Sequence, residues 1–348
     1  MKEIDCSYGE GGGQLVRTAV AAAALTHTPV RLSRIRAGRV NPGLAPQHLT
    51  AVCAVADLCG ADTAGIALGT TEFDFYPGAL SAGRFDWDVG TAGSITLVLQ
   101  AVLPLAILCG GAVHMRITGG TDVRIAPPLD YFLHVFLPLL ARMGANVKAA
   151  VLRRGYYPRG GGIVELEVTP VQALRPLYLE TAGALQDVAA YAHVANLPRH
   201  IVDRMCAAAS LHLQEPSLQL NGQVLGRDQA IGRGGGLTLV ACTEHTRLGA
   251  AVTAERGVPA EYLGEQAAQA LRSELASGAT LDIHAADQLL LYMALARGVS
   301  RFCVRELSSH ARTTLWLLEQ LLPLHCHAEQ QGALIGVELH SLLSFELE

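Results

Sequence analysis

An internal repeat constrains this chain more than any other feature of its sequence. One order of elements recurs: a turn of small residues, an apolar helix, a strand, a loop, and a second helix. The first unit opens with Gly9-Glu10-Gly11-Gly12-Gly13 and predicts a helix over 14–25, a strand over 30–36 and a helix over 47–59. The second opens with Gly90-Thr91-Ala92-Gly93-Ser94 and predicts a helix over 95–108, a strand over 113–117 and a helix over 129–143. The third begins at Ala285-Ala286-Asp287-Gln288, with a helix to 296, a strand over 299–305, a loop carrying His310 and a helix to 322. The strands alternate apolar with polar or basic residues, as a sheet with one buried face requires. The expected fold is α/β, a large domain of three two-helix/sheet units with pseudo-threefold symmetry. Residues 181–278 break the pattern with a strand-like run at 237–242 and a helix-like segment at 260–276. They are predicted to form a smaller inserted α/β domain, leaving 1–180 and 279–348 as the large domain.

Equivalent loops of a repeated fold tend to face one end of the structure. Here they carry Arg36-Ala37-Gly38-Arg39, Gly119-Gly120-Thr121-Asp122 and Ser308-Ser309-His310, and the helix-opening segments add Glu10 and Asp287-Gln288. One site is therefore expected to hold a histidine, carboxylates, two arginines and glycine-rich backbone. His310 stands just before an apolar helical run, behind serines suited to cap it. Free N–H groups and a partial positive charge at a helix start suit phosphate and disfavour a protonated ring. A lone histidine is more often structural, so His310 matters only through the company the repeat brings it.

Composition sets the outer limits. The chain has 348 residues, half of them hydrophobic and 16% charged, so it can bury a full core. A formal charge of −5 argues against non-specific coating of nucleic acid, but it leaves room for a local basic groove. The eight cysteines form no CxxC pair and read as small buried hydrophobes of a reducing compartment. His325-Cys326-His327 cannot all ligate one metal, because neighbours on a strand face opposite ways. The start lacks an apolar leader, and the longest apolar stretch, 95–109, is too short to span a bilayer. A cytoplasmic protein without a membrane partner is expected.

Individual motifs sharpen the site. Glycines at 9 and 11–13 let backbone N–H groups approach an anion, although no Gly-Lys-Ser/Thr follows to make a P-loop. A carboxylate within that run, Glu10, makes sense beside phosphates if it holds a divalent ion. Arg17, Arg34, Arg36 and Arg39 form the densest basic group of the first half, and strand alternation would put Arg34 and Arg36 on one face. The segment Arg153-Arg154-Gly155-Tyr156-Tyr157-Pro158-Arg159 mixes arginines with aromatics, as a nucleic-acid contact or as a glycine-rich hairpin with incidental charge. Gln100 lies mid-way along an apolar helix and needs a partner, whether backbone or ligand. Asp287 and Gln288 would start a helix, where acids are ordinary partners of the dipole.

Taken in order, these motifs resemble the RNA 3′-terminal phosphate cyclase family. The resemblance rests on Gly9-Glu10-Gly11-Gly12-Gly13-Gln14, on Arg36-Ala37-Gly38-Arg39 with Pro42-Gly43-Leu44 and Gln47-His48-Leu49-Thr50-Ala51, and on Gly119-Gly120-Thr121-Asp122. Tyr157-Pro158-Arg159-Gly160-Gly161-Gly162, Ala92-Gly93-Ser94 leading to Gln100, and Ala286-Asp287-Gln288-Leu289 complete it. It implies ATP-dependent conversion of an RNA 3′-phosphate to a 2′,3′-cyclic phosphodiester, through a histidine–AMP adduct, with release of AMP and pyrophosphate. By motif position His310 would be the nucleophile. Gln100, Pro127, His284, Ala285, Ala286, Asp287 and Gln288 would contact ATP or AMP. Arg17, Arg36, Arg39 and Gln47 would bind phosphates, and Glu10 would hold Mg²⁺ or Mn²⁺. The partners implied are ATP and RNA with a 3′-terminal phosphate. Ala311-Arg312-Thr313-Thr314 differs from the more apolar run of bacterial members but keeps the histidine and the helix start. Two rival readings remain: a non-catalytic cyclase-like protein of ribosome biogenesis, which would lack the histidine, and an enolpyruvyl-transferase-like enzyme, which would need no covalent nucleotide.

Overall fold

The computed structural model describes residues 1–63 and 65–342. The first three strands, β1 (Lys2–Asp5), β2 (Val30–Ser33) and β3 (Phe73–Phe75), form a sheet in which β1 and β2 run parallel and β3 antiparallel. Between them lie α1 (Gly13–Leu25) and α2 (Pro46–Cys59). Ala19, Val20 and the four alanines after them are fully buried, so α1 can approach α2, α3 and α9 closely.

The next sheet holds β4 (Gly83–Asp88), β5 (Val113–Gly119), β6 (Asn146–Gly155) and β7 (Gly162–Thr169), with α3 (Ile95–Leu108) joining the parallel pair β4 and β5. Nearly every α3 side chain is buried, and Ser94 caps the helix by accepting from Leu97 N. Pro104 has no N–H to offer the carbonyl of Gln100 one turn earlier. Sequence periodicity predicts one unbroken helix over 129–143. The structure instead runs α4 (Leu129–Tyr131), a π turn over Phe132–Phe136 and α5 (Leu137–Arg142).

A third sheet, in the order β12-β11-β8-β9, comprises β8 (Leu185–Ala195), β9 (Leu218–Leu225), β11 (Gly234–Thr243) and β12 (Arg247–Thr253). Helices α6 (His200–Leu213) and α7 (Ala260–Ser277) pack on it. A second apolar core, from Val188 to Leu271, is confined to this stretch, with Met205, Leu239, Leu248 and Leu271 at its centre. The short β10 (Ala230–Ile231) leaves that sheet and pairs parallel with β6.

The last elements are α8 (Ile283–Leu295), β13 (Gly298–Val304), α9 (Ser309–Leu321), β14 (Leu324–Gln331) and β15 (Leu334–Ser341), the strands being ordered β13-β15-β14. A parallel bridge joins Tyr178 to Arg301, with hydrogen bonds from Leu179 N to Arg301 O and from Arg301 N to Leu177 O. Residues before α8 thus run beside β13 as β1 runs beside β2 and β4 beside β5.

Three local expectations change. The strand predicted over 30–36 ends at Ser33, and Arg34 and Arg36 both turn to φ +52°. Arg34 and Arg36 therefore do not share a sheet face: Arg34 pairs with Asp5, and Arg36 Nη1 donates to the carbonyl of Gly43 at 2.7 Å. The helix expected from Ala285 starts two residues earlier, because Asp282 caps it by accepting from His284 N and Ala285 N. Asp287 and Gln288 are one turn inside it. No helix among the described residues is long and apolar enough to cross a membrane.

Candidate functional site

Four helix starts converge. Gly13 at the head of α1 meets His48 in the first turn of α2: a Cβ added to Gly13 would stand 1.9 Å from His48 Nε2, so any side chain there would have to displace the imidazole. Gly9 is held as closely by α9, since its Cβ would lie 2.2 Å from Oγ1 of Thr313. Gln47 beside His48 accepts at Oε1 from Ser94 N, the cap of α3, at 3.0 Å. The first turns of α1, α2, α3 and α9 contain no acidic residue. Their free N–H groups and dipole ends therefore share one region of positive potential.

His310 occupies the first turn of α9, half-buried, with Ser308 as cap accepting from Ala311 N at 2.9 Å. Its Nδ1 hydrogen-bonds Oε1 of Gln14. Gln14 Nε2 donates to Thr314 Oγ1 at 2.7 Å, which leaves Oε1 as the acceptor and assigns the proton to Nδ1. Nε2 faces Oε2 of Glu10, 3.1 Å away, a contact that pairs the two only when Nε2 also carries a proton. The other Glu10 oxygen accepts from Ser309 Oγ, so the glycine-rich loop and the α9 cap are tied together.

Below the histidine the site is cationic. Arg17 is buried, and burial lowers its pKa to about 10. Its Nη2 lies 3.4 Å from Gln100 Oε1, which gives that mid-helix amide its partner, and its Nε has no partner among the described residues. A buried guanidinium with a spare donor fits an anion. Arg39 is exposed, and one of its guanidinium nitrogens lies 3.6 Å from where a Cβ on Gly12 would stand. Burial, together with the charge of Arg39, lowers the pKa of Arg36. Burial and the charges of Arg17 and Arg36 drive His48 down to about 3. His48 is neutral, accepting at Nδ1 from Ala45 N at 3.2 Å.

Across the site, Oδ1 of Asp287 accepts from Ser308 Oγ at 2.6 Å. Burial raises the Asp287 carboxyl to about 6, against the lowering effect of the Ser308 hydrogen bond and His310. Gln288 Nε2 donates to the His284 carbonyl, and the exposed His284 ring sits edge-on to Tyr131. Pro127 lies near the start of α3, its carbonyl accepting from Thr96 Oγ1 at 2.7 Å.

The fold thus gathers Glu10, Arg17, Arg36, Arg39, Gln47, Gln100, Asp287 and His310. Ala285 and Ala286 are buried, and their backbone N–H groups are taken by Asp282. Asp122 does not join the site as its loop position suggested. It lies with Asp130, Arg154 and His193 in a buried cluster, accepting from Arg154 Nη1 at 3.1 Å. Burial opposes ionisation there, yet a hydrogen bond from His193 and the Arg154 charge hold Asp130 below the usual carboxylate range. The two acids and His193 have metal-ligand spacing, but the guanidinium already fills their hydrogen-bonding role. Glu10, with an accessible carboxylate beside a phosphate-friendly region, better suits a divalent ion that keeps waters and binds substrate phosphates. Sequence reasoning assigned no role to Gln14 and His48. Their signals were a place inside two of the quoted motifs and a polar side chain in the first turn of an apolar helix.

The chain is a mixed α/β protein whose candidate site surrounds an accessible histidine with converging helix starts and arginines. A family model described as RNA 3′-terminal phosphate cyclase matches residues 8–328, and the chain belongs to that family. It is 56% identical over 350 residues to an RNA 3′-terminal phosphate cyclase of Nitrosospira multiformis, covering 99% of each chain. It is 44% identical over 327 residues to the one of Methanopyrus kandleri, covering 92% of this chain and 93% of that protein. The solved enolpyruvyl transferase NikO from Streptomyces tendae aligns over 98% of this chain and 48% of its own, at 14% identity and a TM-score of 0.39.

Proposed function

We propose that this protein converts an RNA 3′-terminal phosphate to a 2′,3′-cyclic phosphodiester at the expense of ATP, with His310 as nucleophile. The observation that carries the reading is the orientation of His310: Nδ1 is engaged by Gln14, and Nε2 points to an accessible region walled by helix starts, Glu10 and arginines. In the first step Nε2 attacks the α-phosphorus of ATP. An N–P bond forms, the bond to the β-phosphate oxygen breaks, and pyrophosphate leaves. In the second step an oxygen of the RNA 3′-phosphate takes AMP from His310, giving RNA(3′)pp(5′)A and restoring the ring. The neighbouring 2′-OH then attacks the 3′ phosphorus, loses its proton, and expels AMP.

Gln14 holds the ring during these steps, and its hydrogen bond stabilises the imidazolium character that develops at Nδ1. Arg17, Arg36, Arg39 and Gln47 bind phosphate oxygens, which the unpartnered Arg17 Nε supports for one of them. Gln100, Pro127, His284 and Asp287–Gln288 line the side taken by the nucleotide. A bound Mg²⁺ or Mn²⁺, held by Glu10, would neutralise the leaving pyrophosphate.

The same reading takes the fold as three repeated units with pseudo-threefold symmetry, 1–180 and 279–348, interrupted by an inserted domain at 181–278. Three parallel pairings support it: β1 with β2, β4 with β5, and the Tyr178 bridge with β13. The self-contained second core supports the insertion.

The test is incubation with α-labelled ATP followed by denaturation. An acid-labile, alkali-stable adduct is expected in the unaltered protein and absent in His310→Ala. Equal labelling of both would overturn the assignment. A non-catalytic or enolpyruvyl-transferring protein would take no label.

A further inference from the structure

A turn outside the chemistry just described stands beside the site. Residues 157–159 are exposed at the tip between β6 and β7, with Tyr157 at 80% exposure. The turn is held against the opening of α3, because a Cβ on Gly160 would stand 2.4 Å from the carbonyl oxygen of Thr91. Two residues on, Gly93 packs against Gln47, a Cβ there meeting Gln47 Cβ at 3.0 Å. A continuous surface therefore leads from Gln47 to Tyr157.

Three arginines lie on the segments that meet at this turn. A register shift between Val151 and Arg153 interrupts the alternation of β6: Arg154 is buried, while Arg153 is half-buried, its Nε donating to the Gly161 carbonyl at 2.9 Å and its terminal nitrogens without partners among the described residues. Arg159 is exposed on the turn itself, and Arg233 is exposed just past β10. Pairing of β10 with Arg154–Gly155, and the 2.8 Å approach of a Gly161 Cβ to Ile231 Cδ1, bring Arg233 to the same seam. Among the described residues none of these three arginines has a carboxylate partner. In a chain of net charge −5, such a group of uncompensated cations on segments that meet beside an exposed tyrosine is not a solvated average surface. Cations that track phosphates, interleaved with a ring on which a base stacks, are the elements of a single-strand track.

We propose that Arg153, Tyr157, Arg159 and Arg233 bind the RNA strand on the 5′ side of its terminal phosphate. A base stacks on Tyr157, and Arg159 and Arg233 hold backbone phosphates. The proposal rests on the reading above for its ligand, and it predicts that affinity depends on RNA length. Only oligonucleotides that extend past Gln47 reach the turn.

Binding without ATP tests it, by fluorescence anisotropy with single-stranded 3′-phosphorylated RNA of ten and of three nucleotides. Tyr157→Ala, Arg159→Gln and Arg233→Gln are each expected to weaken decamer binding about five- to tenfold, the range of one stacking or phosphate contact. Trinucleotide binding and histidine labelling from ATP alone should not change. Tyr157→Phe keeps the ring and should bind normally. The slope of log affinity against log salt should fall by about 1.4 in the Arg159→Gln, Arg233→Gln double variant, at about 0.7 per phosphate contact. Arg233 lies on a separate segment, so its variant stands even if the turn misfolds. Decamer binding indifferent to all three substitutions, or an equal loss with the trinucleotide, would overturn the proposal. Length-dependent binding without cyclisation would support the track while counting against the chemistry of His310. Normal cyclisation with indifferent binding would do the reverse.

Discussion

Ser308 and Asp287 are joined by a 2.6 Å hydrogen bond, and the same Ser308 oxygen caps α9. One hydroxyl thus fixes the start of the helix that carries His310 and ties it to α8. Asp287 is half-buried at that joint, and its desolvation there raises the carboxyl from 3.8 to about 6. A folded-state pKa above the unfolded one stabilises most below pH 4, and the contribution is lost as pH rises through 6. Asp287→Asn keeps an acceptor for Ser308 and removes this loss. Its melting temperature should exceed that of the unaltered protein above pH 6, by an amount worth about 2–3 kcal/mol, and converge with it near pH 4. Parallel stability curves from pH 4 to 7 would show that the carboxyl is not strained.

Gln14 positions the nucleophile and should not itself take AMP. Gln14→Ala removes the acceptor at Nδ1 and is expected to slow histidine labelling by about 10²-fold, the usual size of a lost orienting contact. Gln14→Glu retains an acceptor and should recover most of that rate. Labelling kinetics by rapid quench distinguish the two, and equal losses would remove the orienting role.

Glu10 should matter most when pyrophosphate leaves. Glu10→Ala is expected to slow histidine adenylation more than cyclisation of RNA already carrying AMP at its 3′ end, because only the first step releases pyrophosphate. The two rates, each with metal titrated, decide the point. Equal losses with unchanged metal dependence would make Glu10 a loop-shaping residue that holds Ser309.

Arg36 and Arg39 should separate. Arg39 has no partner for its guanidinium among the described residues, so Arg39→Lys should cost about tenfold in kcat/KM through the lost bidentate fork, at unchanged melting temperature. Arg36 also donates to the Gly43 carbonyl, so Arg36→Lys should lower activity and cost about 1 kcal/mol of stability as well. Wild-type kinetics for both would return them to ordinary surface charge.

His48 offers a check at acid pH. Its pKa is depressed to about 3, so its contribution is complete above 6.5 and is lost as pH falls toward 3. His48→Gln should flatten acid unfolding over that window, read by circular dichroism. An unchanged acid transition would mean that His48 can charge in place.

Helices were the legible part of this fold, since hydrogen bonds within a turn and the spacing of apolar residues are local. The run 95–108 is α3 residue for residue, and α7, α1 and α9 begin or end within about a residue of their periodic patterns. Glycine and serine marked their starts for the same reason. Local pattern could not tell Arg153 from Arg154, or foresee that the strand holding Arg34 and Arg36 would stop at Ser33. Those outcomes depend on partners far along the chain: Asp122, Asp130 and His193 draw Arg154 inward. The convergence of α1, α2, α3 and α9 was likewise decided in three dimensions. It relies on contacts such as Gly13 with His48 and Gln14 with His310, and only close packing brings residues separated by 296 positions together. Free energy there comes from shape and charge complementarity between distant segments, which no periodicity records.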